Sequence, residues 1–293
     1  MMREYAYKKI DAFTSGQSLG NPAACLYLEQ GQQLSPEEML AVAAAHKGFV
    51  SEVVYCESRP SGLFLTYYSS ECEVAFCGHG TIACMYSLIK STPSLLCQKE
   101  ILVQTHQAGE LTVYNHIPEQ DAVFITAPQP EYLHTSVTKD MVAEKLGLKT
   151  DELLTDLPVE LVSVGLKALI VPVASLSREV SLLPSLEVLK AFCVDNGIDT
   201  ILPFSLETER NESIAHTRVF PPKFGYLEDP ATGSGNSAFG YYMRKHGLWK
   251  GDSIAIEQGG TGIEYNTVRL MTLNDRVLFG GSATERISGV YYL

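Results

Sequence analysis

Cys77-Gly78-His79-Gly80-Thr81-Ile82-Ala83-Cys84-Met85-Tyr86 and Thr232-Gly233-Ser234-Gly235-Asn236-Ser237-Ala238-Phe239-Gly240-Tyr241 are the two stretches on which the fold turns. Each is a Gly-x-Gly turn running into small helix-compatible residues, with Ala and Tyr at matching offsets. A single Gly-x-Gly is weak evidence, but the flanks repeat as well. After Cys77 come three strand-like runs at 101–105, 111–114 and 123–125. After Thr232 the runs at 254–257, 267–270 and 277–279 follow the same order. The turn glycines Gly109 and Gly262 stand 32 residues (77 to 109) and 30 residues (232 to 262) beyond their motifs.

Upstream of the motifs the halves match more loosely. Ser35-Pro36-Glu37-Glu38 is a capping box with proline at the first helical position, and it predicts a helix through Met39, Val42, Ala43 and His46 that stops at Gly48. In the second half, 184–195 reads as a helix with Leu186, Leu189, Phe192 and Cys193 on its apolar side and Gly197 closing it. Apolar runs at 50–55 and 198–204 follow these helices. The expected fold is therefore α+β (mixed α/β): two similar domains related by pseudo-twofold symmetry, each a curved, mostly antiparallel sheet around a central helix. The linker-like Ala127-Pro128-Gln129-Pro130 places the boundary, giving an N-terminal half 1–127 and a C-terminal half 128–280. The short apolar tail, 281–293, is expected to return to the first half.

The chain has 293 residues, a size suited to two domains. Its 45% hydrophobic and 19% charged content excludes the disordered class. With 22 basic and 34 acidic side chains the net charge is −12, which argues against a nucleic-acid backbone or an anionic membrane as partner. No apolar run reaches the roughly 18 residues of a membrane span. The start, Met1-Met2-Arg3-Glu4-Tyr5, lacks the apolar core of a signal peptide. Seven cysteines, an odd number without Cys-x-x-Cys spacing, fit reduced thiols in the cytoplasm.

A Gly-rich turn at a helix start presents backbone N–H groups and the positive end of the helix dipole. Two of them facing each other across an interdomain cleft would bind a small carboxylate, whereas as isolated features both are merely tight turns. Nucleotide binding is disfavoured: no GxxxxGK[ST] occurs, and Ala83 and Ala238 stand where the dinucleotide fingerprint needs a third glycine. His79 lies inside the first turn, and Ser234 is its repeat partner. Glu228-Asp229-Pro230 precedes the second turn. Glu52 interrupts the apolar Phe49-Val50-Ser51-Glu52-Val53-Val54-Tyr55. By simple alternation it points outward; turned to the cleft, it becomes an acid or base. Cys77 is a possible thiolate at a helix start, the setting that depresses a thiol pKa. Its counterpart is Thr232, so a symmetric two-thiol reaction is disfavoured. No His/Cys/Asp spacing or HExxH suggests a metal, and no GxSxG suggests a serine hydrolase.

Asp11-Ala12-Phe13-Thr14, Gly20-Asn21-Pro22-Ala23, Ser51-Glu52, Cys77-Gly78-His79-Gly80-Thr81 and Glu228-Asp229-Pro230-Ala231-Thr232-Gly233-Ser234 together resemble the PhzF-like family of phenazine-biosynthesis-type isomerases, over nearly the whole chain. The resemblance implies a diaminopimelate-epimerase-like fold, an active site between the domains, a homodimer, and proton transfer without metal or other cofactor on a small amino-acid-like or carboxylate substrate. By position it implies Glu52 as the acid/base, with His79, Asp229 and Ser234 binding substrate alongside Gly78, Gly80 and Gly233. Two departures stand out: Cys77 replaces the small residue of the phenazine enzyme, and Val53 follows the glutamate where threonine or serine is frequent. Cys77 leaves room for a thiol-dependent epimerase or dehydratase, and the scaffold also suits a non-catalytic small-molecule binding protein.

Overall fold

The computed structural model describes residues 2–293. Two compact units form: one takes in the chain up to Thr14 with Leu19–Ile125 and Gly280–Leu293, the other Ser15–Ser18 and Thr126–Phe279.

In the first unit the strands lie in the spatial order Ala283–Tyr292, Glu4–Ala12, Asn21–Leu28, Glu52–Arg59, Gly62–Ser69, Glu100–Thr105, Gly109–His116 and Ala122–Thr126. Only two joins are parallel: Asn21–Leu28 with Glu52–Arg59, and Gly62–Ser69 with Glu100–Thr105. A parallel join cannot be closed by a hairpin and needs a crossover. The sequence supplies one at each place, the helices Pro36–Ala45 and Gly78–Ser91. The second unit repeats the pattern. Glu131–Leu133, Glu160–Ser163 and Lys167–Pro172 pair antiparallel, and Lys167–Pro172 then runs parallel to Thr200–Ser205. Thr200–Ser205 is antiparallel to Ser213–Thr217, which runs parallel to Ile254–Gln258, itself antiparallel to Asn266–Leu273. The crossovers carry the helices Leu186–Asp195 and Gly233–Lys245.

The two faces of the first sheet are occupied differently. Ala24, Leu26, Val53 and Tyr55 pack with Met39, Val42 and Ala43 of the helix Pro36–Ala45. The alternate residues Cys25, Val54 and Cys56 are also fully or nearly fully buried, on the opposite face. Burial on both faces explains why these strands read as continuous apolar runs. The helix Gly78–Ser91 lies on that opposite face: the Cα of Gly80 is so near Val54 that a β-carbon would stand 2.8 Å from its Cγ2. Nine of its residues are buried, Gly80 through Ser87 and Ile89, so it is the central helix of the unit. Gly233–Lys245 is buried to the same degree, with Gly233, Gly235 through Met243 inaccessible.

Most sequence expectations match at the level of elements. The capping box forms, with the Ser35 hydroxyl accepting from the Glu38 N–H and the Glu38 carboxylate accepting from the Ser35 N–H at 2.9 Å. Gly48 and Gly197 take positive φ (81° and 66°) just past their helices. The tail strand is longer than its apolar end, starting at Ala283 and pairing along the whole of Glu4–Ala12. The second-half helix begins at Leu186, because Ser185 takes an extended conformation as N-cap and Pro184 lies outside. Among the described residues no helix is long and apolar enough to cross a membrane, and no disulfide forms.

Candidate active site

Strand parity decides where Glu52 points. It opens the strand Glu52–Arg59, and side chains two apart share a face, so Glu52 lies with Val54 and Cys56 on the face covered by the central helix. Its register partners are Ala23, from Gly20-Asn21-Pro22-Ala23, and Ser69. The helix start meets it there. Cys77 is the N-cap of Gly78–Ser91, and its sulfur accepts the Gly80 N–H at 3.3 Å. The thiol lies 3.9 Å from Glu52 Oε2, and 3.6 Å from Nδ1 and 3.9 Å from Nε2 of His79. His79 Nε2 is 3.3 Å from Glu52 Oε2. Side-chain exposure is 22% for Glu52 and 14% for His79, while Cys77 as a residue is 5% exposed. The three groups thus form a cluster largely sheltered from water.

The turn holding these groups is braced from below. Thr81 Oγ1 donates to the Cys77 carbonyl at 2.7 Å, so the Tyr67 hydroxyl donates to Thr81 Oγ1 at 2.8 Å. Burial pushes the Tyr67 phenol well above its ordinary pKa, so it remains a donor. Cys25 is a contrasting thiol on the same face: burial raises its pKa well above the usual range, which makes it an inert packing group.

In the second unit, Asp229, Gly233 and Ser234 gather around the start of Gly233–Lys245. Thr232 is the N-cap but makes no side-chain cap; its hydroxyl donates instead to the Asp229 carboxylate. Gln258, fully buried, ties the turn together: its Oε1 accepts from the Thr232 N–H at 2.9 Å and from Asn236 Nδ2 at 2.8 Å, and its Nε2 donates to the Asp229 carbonyl at 2.8 Å. Asn266 donates to the Pro230 carbonyl at 2.8 Å. Arg218 grips the preceding Glu228 with two bonds, 2.9 Å from Nε and 2.6 Å from Nη2. The same guanidinium donates to the carbonyls of Glu179, Val180 and Leu182. Thr232 and Gln258 thus hold Asp229 directly, while Ser234 remains half-buried on the first turn of the helix.

The model of the phenazine biosynthesis-like protein family matches residues 10–289 of this chain. The chain belongs to that family. An uncharacterized isomerase of Bacillus subtilis, YfhB, is 32% identical over 262 residues, covering 88% of this chain and 87% of its own. The crystal structure of the Bacillus anthracis phenazine biosynthesis protein of the PhzF family superposes with a TM-score of 0.82 at 24% identity, covering 99% of both chains. A hydroxyproline epimerase from Agrobacterium vitis, solved with bound trans-4-hydroxy-L-proline, matches at a TM-score of 0.57 and 12% identity over 99% of this chain and 93% of its own. The fold is thus epimerase-like, and the protein is an enzyme of the isomerase kind.

Within this family member the two helix starts differ in what their glycines allow. A β-carbon on Gly80 would stand 2.8 Å from Cys77 Sγ and 2.8 Å from Val54 Cγ2, and one on Gly233 would stand 2.2 Å from the Phe279 ring. Gly80 is therefore the residue that lets the thiol fold back onto the helix start. Gly80→Ala is expected to lower stability by about 1–3 kcal/mol through overpacking, read as a fall in melting temperature. An unchanged melting temperature would show that the approach is looser than described.

Sequence reasoning missed Arg218, Gln258 and Asn266 as supports of the second turn. Asn236 carried a local signal, four residues after Thr232 on the same helix face. The others act across 10 to 36 residues of chain, and nothing in their neighbourhoods marks them.

Proposed function

We propose that this protein is an isomerase that moves a proton between carbons of a small amino-acid-like or carboxylate substrate, with Glu52 as the proton carrier. The observation that supports it is the position of the Glu52 carboxylate, sheltered beside His79 and Cys77 at a helix start. Removing a proton next to a carboxylate leaves negative charge on the substrate, and catalysis needs donors already aimed at it. The N–H groups of Gly78 and His79 and the His79 imidazole fill that role, while Gly80 shapes the floor and commits its own N–H to Cys77. The family resemblance adds Asp229, Ser234 and Gly233 as further substrate-binding residues. The proton leaves carbon for Glu52 and returns from Glu52 to another carbon, so charge and atoms balance without an added cofactor. The resemblance also supports a homodimer, and seven cysteines without Cys-x-x-Cys spacing support a cytoplasmic place for it. Screening amino and hydroxy acids in deuterated water tests the reading: the Glu52 side chain is 22% exposed, so the proton it holds exchanges with solvent before return and the substrate gains mass.

A second reading has its own observation. Cys77 Sγ is 3.9 Å from Glu52 Oε2, so the thiol shares the place of the carboxylate and is the alternative base, that of an epimerase or dehydratase. If Glu52 carries the proton, Cys77→Ala keeps at least about a tenth of wild-type exchange, a loss smaller than the 10²–10⁴-fold worth of a general base. If exchange is lost in Cys77→Ala and kept in Glu52→Gln, the thiol is the base.

A further inference from the structure

We propose that Glu52, Cys77 and His79 bind one thiophilic divalent cation of the zinc class, and that the bound ion blocks the reaction. The donors are one sulfur, one imidazole nitrogen and one carboxylate oxygen, all within 4.8 Å of one another. Around zinc, sulfur at about 2.3 Å and nitrogen or oxygen at about 2.0–2.1 Å, set tetrahedrally, stand about 3.5 Å apart across an S···N or S···O edge and about 3.3 Å across an N···O edge. The corresponding separations here are 3.9 Å for Cys77 Sγ to His79 Nε2, 3.9 Å for Cys77 Sγ to Glu52 Oε2 and 3.3 Å for His79 Nε2 to Glu52 Oε2. Each donor needs to move by only a few tenths of an ångström to share one ion.

The chemistry of the set also selects the ion. Thiolate, imidazole and carboxylate suit zinc or cobalt and reject magnesium and calcium, which take oxygen ligands. A thiolate and a carboxylate together carry the two negative charges that match a divalent cation; the thiol proton is released to solvent on binding. Three protein ligands leave a fourth position for water, as in open zinc sites. The sequence showed none of this, because Glu52 stands 25 residues from Cys77 and the pattern fits no ligand spacing. The ion is an inhibitor here, since it occupies the Glu52 carboxylate on which proton transfer depends. Inhibition, unlike binding, rests on Glu52 being the proton carrier proposed above.

Cobalt serves as the probe. The 293-residue protein, kept reduced with a non-coordinating phosphine, is titrated with Co²⁺ and read by absorption. The expected result is one Co²⁺ per chain, with a thiolate-to-cobalt charge-transfer band and tetrahedral visible bands, displaced by Zn²⁺ and untouched by excess Mg²⁺. Cys77→Ser removes the charge-transfer band, and His79→Ala weakens binding by more than about tenfold, the least that loss of even an outer-shell partner costs. A Cys72→Ser/Cys97→Ser variant, which lacks the two exposed thiols, keeps the band. No band in the wild type, or a band unaltered in His79→Ala and in Cys77→Ser, overturns the site. If the loaded protein still exchanges protons at the wild-type rate, the metal site stands and Glu52 as proton carrier falls. Exchange without any cobalt band gives the reverse.

Discussion

Glu52→Gln is expected to lower kcat by about 10²–10⁴-fold, the range that a positioned general acid or base contributes. Glutamine keeps the shape of the side chain and its contact with His79, but it can neither take nor return a proton. The position is partly exposed at the end of a strand, and the carboxylate is not part of the packed core, so the melting temperature should move little. Stability changes at such positions are usually within about 0.5 kcal/mol, too small to account for the lost turnover. The Michaelis constant should change less than kcat, because the helix-start donors that hold the substrate carboxylate are untouched. A variant that turns over within tenfold of the wild type would remove Glu52 from the mechanism.

Arg218→Ala is expected to produce the largest loss of stability, about 3–5 kcal/mol, the cost of breaking a buried ion pair by removing one partner. The Arg218 side chain is 4% exposed and makes five hydrogen bonds, two to Glu228 and three to the carbonyls of Glu179, Val180 and Leu182. Its removal leaves a carboxylate and three backbone acceptors without their donor in a sheltered place. Lysine restores the charge but not the planar fork, so Arg218→Lys should recover only part of the loss. The urea midpoint measures this, with Lys250→Ala, at an exposed position, as the reference for an ordinary cation removal. A midpoint for Arg218→Ala equal to that of Lys250→Ala would show that the network carries no net stability.

The fold was legible because local signals recur. Two Gly-x-Gly helix starts, two glycine-ended crossover helices and matching runs of strand residues are each short-range, and the repeat multiplies their weight. Less legible were Glu160–Ser163 and Lys167–Pro172, short strands with no flanking motif whose place is set by pairing with Thr200–Ser205 and Glu131–Leu133. At the candidate site the sequence named Glu52, Cys77 and His79 separately, but alternation alone left the direction of Glu52 open. What resolves it is the packing of Val53 and Tyr55 against the helix Pro36–Ala45, which turns Glu52 to the central helix on the other face. Such parity is a long-range property: it depends on which helix covers which face. Arg218 and Gln258 escaped for the same reason, since their meaning lies in carbonyls and side chains brought to them by folding.

The most direct test of Glu52 as proton carrier is deuterium labelling of a substrate by wild type and Glu52→Gln side by side, with the label located on the carbon skeleton by NMR. Wild type is predicted to place deuterium at the carbon that receives the proton, and Glu52→Gln to place none while still folding and binding the acid. Equal labelling by the two proteins would contradict the assignment.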